Sequence, residues 1–183
     1  MANRKYVEPI NLIKTRVLFK NLDGHPDMLN REGGKRSITL QIDDAELAFR
    51  RKEEGWNIRP IDRDTKFEDG PWKIDCKIGF DRYPPKIVKV VLRANGEYEY
   101  FDVKTPEDLS DIQDLDIIEV TATISPNTYN DRNTGEERLS AWIREMVILV
   151  KESMVYGLYG RPNNNCERYL AETEAPSEDD IPF

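Results

Sequence analysis

Residues 115–150 read LDIIEVTATISPNTYNDRNTGEERLSAWIREMVILV. Two runs of alternating apolar residues, 115–125 and 138–150, flank a polar arm that contains Asn133-Thr134-Gly135. A period of two marks a strand with one buried face, and a turn signal between two such runs makes them a pair. Parity sorts the second run. Leu139, Ala141, Ile143, Val147 and Leu149 fall on one side, and Arg138, Ser140, Trp142 and Arg144 on the other. An indole between two guanidinium groups on its own face is costly to bury and well placed to stack a base beside phosphates. Tyr129, in the arm, is a second aromatic platform.

Working outward, the rest of the chain has the same character. Residues 12–20 and 36–42 read as strands separated by a loop ending in Glu32-Gly33-Gly34. Asp43 as a cap with Glu46 three residues on predicts a helix, and Gly55 predicts its stop. A short strand at 56–60 and a polar loop at 61–70 follow, then strands at 71–80 and 86–93. Asn95-Gly96 suits a tight hairpin into 97–103. Thr105-Pro106-Glu107-Asp108 opens a short helix that turns Leu109 and Ile112 inward. Short strands, one or two short helices and long inter-strand arms predict a mainly β fold, a small Greek-key barrel of the five-stranded oligonucleotide-binding type (OB-fold). Residues 1–152 form this domain and 153–183 a flexible, mostly disordered acidic tail, because apolar patterning fades after Lys151.

In 71–80, Trp72, Ile74, Cys76, Ile78 and Phe80 share the core face, which turns Lys73 and Lys77 outward. In the first strand Lys14, Arg16 and Lys20 share a face opposite Thr15, Val17 and Phe19. The loop carrying Arg31, Lys35 and Arg36 surrounds two glycines, which lets backbone amides approach phosphates. The net charge of −8 argues against a nucleic-acid binder only until its distribution is read. Five carboxylates lie in residues 171–183 with no basic residue, so the body carries only −3. Residues 1–36 hold eight basic against four acidic side chains, and 72–93 hold six against two. Local patches attract phosphates whatever the total.

One histidine and two cysteines leave little for a zinc site or a histidine-based triad, and no cofactor is expected. No secretion signal or membrane-length apolar run is visible, so a cytoplasmic setting with both thiols free is expected. Asp62, Asp64, Glu68 and Asp69 could supply carboxylates to a magnesium-dependent nuclease. With Arg63 and Lys66 interspersed, a solvated loop is the simpler reading, and a non-enzymatic protein is expected.

The chain ends Asp179-Asp180-Ile181-Pro182-Phe183. An apolar tip held in water by carboxylates cannot join its own core but fits a partner's pocket. Pro182 lowers the ordering cost, and Phe183 offers a ring and a carboxylate. This ending resembles the acidic tip of bacterial and phage single-stranded DNA-binding proteins, which implies recruitment of replication, recombination and repair enzymes. A second resemblance rests on NREGGKRSITLQIDDAELA (30–48), GWNIRP (55–60), YPPKIV (83–88), LDIIEVTATISP (115–126) and RLSAWIREMVILV (138–150). In this order the strings resemble phage-type single-stranded DNA-binding proteins with an OB-fold, over most of residues 16–150. That family places one aromatic after the proline of the penultimate strand and another in the final strand, where this chain has Tyr129 and Trp142, with Asn127 directly after Pro126. The resemblance implies sequence-tolerant binding of single-stranded DNA in a bacterial host. An adaptor that carries the tip without binding DNA is the alternative, and homo-oligomer assembly is compatible with either.

Overall fold

The structure is a computed structural model that describes residues 7–28, 31–131 and 134–152. The acidic tail, its tip Asp179–Phe183, Cys166 and the proposed boundary at 152/153 therefore lie at the edge of or outside the described residues. Nine strands share one sheet: β1 Ile10–Thr15, β2 Val17–Asn21, β3 Arg36–Ile42, β4 Ile58–Pro60, β5 Trp72–Ile78, β6 Lys86–Leu92, β7 Tyr98–Val103, β8 Ile117–Asn130 and β9 Glu137–Lys151. Two helices, α1 Ala45–Glu53 and α2 Pro106–Ser110, interrupt them.

The expected barrel is present. Its strands run in the order β1-β8-β9-β5-β3-β2. The two ends of that order are one bent strand, since only Arg16 separates β1 from β2. At this corner Gln41 N–H donates to the Arg16 carbonyl at 3.0 Å, and the Thr15 hydroxyl donates to the Gln41 carbonyl. Those bonds close the sheet on itself and remove two edges, the OB-type solution to unpaired backbone. The predicted single strand 12–20 is thus two, with a bulge between Leu12 and Thr15 and another between Val17 and Phe19. The second bulge leaves Phe19, expected on the inner side, exposed.

Helix α1 starts one residue later than predicted. Asp44, rather than Asp43, accepts from the Leu47 backbone at 3.1 Å. Gly55, at φ +98, does end it. Helix α2 has the full reciprocal box between Thr105 and Asp108. The Asp108 carboxyl is partly buried, which would raise its pKa. Hydrogen bonds from the Lys104 and Thr105 amides and the Thr105 hydroxyl outweigh burial and hold it below the usual carboxylate range.

The core fills the barrel with Ile38, Leu40, Ile42, Ile74, Cys76, Ile124 and Met146, all buried. Burial pushes the Cys76 thiol far up, so it stays protonated and inert. Trp72 is buried as expected. Its indole donates to the Phe67 carbonyl at 2.6 Å, and Phe49 and Phe67 pack edge-on and tilted against it. The last strand departs from simple alternation. Ile124 pairs with Ile143 and Thr123 with Glu145, so Arg144 is an extra, bulged residue. Parity flips beyond it: Met146, Ile148 and Val150 enter the core, while Val147, expected there, is 42% exposed and Leu149 is only half-buried. The polar arm is also strand, with the β8–β9 ladder running out to Asn130 and Glu137. Among the described residues no helix is long and apolar enough to cross a membrane.

Met146→Ala should lower stability by about 2–5 kcal/mol through a core cavity. Val147→Ala should stay within about 0.5 kcal/mol, as surface changes do. Denaturant melts of both variants check the flipped register, and the reverse order would restore simple alternation.

Candidate nucleic-acid interface

The outer faces of four strands line up in one row. Ser125 of β8 lies opposite Trp142 of β9, Trp142 beside Lys77 of β5, and Lys77 opposite Ser37 of β3. Along the arm Asn127 faces Ser140 and Tyr129 faces Arg138. On β5, Asp75 and Lys73 continue the face opposite Thr39 and Gln41, with Arg59 of β4 beside Lys73.

Trp142 is half-buried and held in place. Its ring lies over Gly79, where an added Cβ would stand 2.7 Å from the indole Cζ3. Its Nε1–H donates to Ser140 Oγ at 3.0 Å, and that hydroxyl donates to the Asn127 carbonyl at 3.2 Å. The Lys77 ammonium sits 5.7 Å from the centroids of both Trp142 and Tyr129. A cation shared by two rings fixes their spacing without filling their open faces. Tyr129 also lines a shallow recess of about 360 Å³ with Pro126, Asn127, Thr128, Asn130 and Glu137. A flat, partly open indole, a second ring and a cation between them offer a base two stacking surfaces and a phosphate one charge.

The other predicted cations divide. Arg144 is exposed at the bulge, two residues beyond Trp142. Arg138 is on the same face but pairs with Asp131 at 2.9 Å and Glu136 at 3.6 Å. Lys73 donates to the Ile61 carbonyl at 2.7 Å and pins the 61–70 loop. Arg36 pairs with Ile78, so it has core-side parity and closes the barrel end rather than joining Lys77. Arg31 and Lys35 are exposed beyond that end, where Gly34 N–H bonds the Gly24 carbonyl at 2.7 Å. Lys14 stands at the β1 bulge, its amide bonded to Thr121, and Arg16 at the β1–β2 corner; neither is in register with the Trp142–Lys77 row. Lys20 faces inward instead. Its ammonium meets the Leu115 carbonyl at 2.5 Å, and burial lowers its pKa against the pull of Asp114 and Asp116.

Sequence reasoning missed the parts that four residues play. Arg59 neutralises Asp75, which also accepts from Thr39 at 2.8 Å. Gly79 gives the indole its seat, and Ser140 with Asn127 fixes its edge. Parity of 71–80 did place Gly79 on the outer face, yet nothing local says which ring lies above it. Among the described residues no group of three or more His, Cys, Asp or Glu is arranged to hold a metal ion.

A family model described as "Putative phage ssDNA-binding domain" matches residues 1–180, and the chain belongs to that family. Solved structures are similar at low identity. The single-stranded DNA-binding protein from bacteriophage Enc34 with a C-terminal truncation is 17% identical with a TM-score of 0.47, covering 82% of this chain and 94% of that one. The same phage's protein in complex with ssDNA is 16% identical with a TM-score of 0.47, covering 82% and 95%. The bacteriophage T7 single-stranded DNA-binding protein gp2.5 is 11% identical with a TM-score of 0.34, covering 93% and 97%. No curated protein matches the sequence.

Gly79→Ala should unseat the Trp142 indole without unfolding the barrel, because the clash is with a ring edge and not with backbone. Of the three tryptophan indole N–H resonances, the one from Trp142 should shift strongly while those of buried Trp56 and Trp72 hold. Three unmoved resonances would mean that the glycine is not the indole's seat.

Proposed function

We propose that this member of the phage ssDNA-binding domain family coats single-stranded DNA without reading its sequence, as a non-enzymatic protein in the cytoplasm of a bacterial host. Bases stack on Trp142 and Tyr129, Lys77 and Arg144 meet the adjoining phosphates, and Arg31, Lys35, Lys14 and Arg16 extend the positive potential around the barrel. The observation that carries this reading is the open Trp142–Lys77–Tyr129 arrangement, immobilised by Gly79, Ser140 and Asn127. A core protein would bury such rings, and a solvated surface would not fix them. The tail, with its tip Asp179, Asp180, Ile181, Pro182 and Phe183, recruits replication, recombination and repair enzymes. It competes with DNA for the same cations when no strand is bound.

A titration against single strands and duplex at several salt concentrations tests the binding claim. With roughly four to six phosphates neutralised, the log–log salt slope should be about −3 to −4. Duplex bound as tightly as single strand would remove the stacking account. Trp142→Ala should weaken single-strand binding by about 1–3 kcal/mol and leave the melt unchanged.

The tip makes a separate claim. Deleting residues 171–183 should tighten DNA binding at low salt and abolish partner capture, the first effect shrinking as salt screens it. Phe183→Ala keeps every side-chain charge, so DNA affinity should hold while partner binding falls. Partner binding unchanged in Phe183→Ala would reduce the tail to an electrostatic brake.

A further inference from the structure

The β5–β6 connection, residues 79–85, carries the Tyr83-Pro84-Pro85 motif, and no contact of the interface above uses its tip. Strand β8 occupies one edge of β9 along nearly all its length, so β5 and β6 share the other. β5 pairs there at Trp142 through Lys77, and β6 takes over at Glu145 through Lys86. Three residues of β9 cover about 10 Å, yet the chain spends residues 78–85 bridging that gap. It must project from the sheet beside Trp142 and the bulged Arg144.

Both feet of the projection are fixed. Phe80 packs against the core and Pro85 is buried. Between them Asp81, Arg82, Tyr83 and Pro84 are exposed, and Tyr83 reaches 88%. A tyrosine so exposed contributes little to folding. A residue before proline is restricted in its backbone, and two prolines with fixed φ leave little freedom to lose on binding. Arg82 precedes the ring, Lys86 follows at the foot 3.9 Å from Glu145, and Arg144 lies across on β9. The projection thus pairs an exposed ring on a proline-braced backbone with flanking cations, on the far side of Trp142 from the Tyr129 arm.

We propose that Tyr83 is a further base-stacking platform, with Arg82 and Arg144 contacting the phosphates on either side of the stacked base. The bound strand then runs from the arm, over Trp142, to the β5–β6 projection. This rests on the single-strand binding reading, and the controls separate the two. Full-length wild type, Trp142→Ala, Tyr83→Ala and Tyr83→Phe are titrated with oligothymidylates from about 4 to about 16 nucleotides, the span of site sizes for one such barrel. Tyr83→Ala should weaken binding roughly 5- to 150-fold on the longer strands, the equivalent of one lost stack. It should match wild type on the shortest, which Trp142 and Tyr129 hold without it. Tyr83→Phe should restore affinity, and neither change should move the melt. If wild type and Trp142→Ala behave as expected while Tyr83→Ala binds every length like wild type, this inference alone fails. If wild type binds no single strand, both readings fail together. Equal loss for Tyr83→Ala and Tyr83→Phe would assign the hydroxyl, and overturn stacking.

Discussion

Strand β9 bears a constraint that the rest of the molecule accommodates. Fifteen residues long, it must satisfy two edges of backbone donors and acceptors. β8 satisfies one edge continuously, while the other is divided between β5 and β6. Without that division β5 would have to follow β9 beyond Ile78, and β3, paired to β5 along its whole length, would follow too. Letting β5 turn away closes the barrel through β3 and the β1–β2 corner. Letting β6 take over keeps Met146, Ile148 and Val150 covered.

The handover also makes the candidate interface. Where β5 leaves β9, the sheet has a seam, and an indole large enough to cover it occupies the position. Gly79 removes the side chain that would lift the ring. The bulge at Arg144 sits next to the same seam and turns two consecutive residues, Arg144 and Glu145, outward before parity resumes. Bulges re-aim side chains where pairing changes. Here the change places a cation beside the ring and also sends Met146 into the core. Fold and site thus share one irregularity, and a mutation that repaired the bulge would disturb both.

Much of this was legible in the sequence, for identifiable reasons. Regular alternation over 71–80 placed Trp72 inside and Lys77 outside, because seven paired residues without a bulge keep parity. The same rule failed past Arg144, although two adjacent charges inside an apolar run were a sign of the extra residue. The 12–20 run failed likewise, since a closed barrel bends its first strand and bulges are where it bends. Asp43 and Asp44 are both able caps, and choosing between them depends on the Asp43 contact with Gln41 at 2.5 Å, a neighbour in the strand before the helix. Arg59 and the Ser140–Asn127 lock were not legible at all. They are side-chain contacts between neighbouring strands, and only the exact register of the folded sheet sets them.

Charge was the least reliable guide, and the structure shows the physical cause. Counting cations treats each as available to a phosphate, but folding assigns several of them first. Lys73 pins a loop through a carbonyl, Arg138 answers two carboxylates, Arg36 closes the barrel end, and Lys20 is drawn inward to two carbonyls. Each such contact must be given up before the group can meet DNA, which subtracts from the gain on binding. Lys77 differs, because its contacts are ring faces that a base can share and its ammonium remains exposed. A ligand reaching this face therefore meets stacking surfaces that are already ordered and a smaller set of uncommitted charges. Affinity built that way depends more on bases than on phosphates, and so favours strands whose bases are unpaired over a duplex that offers phosphates alone.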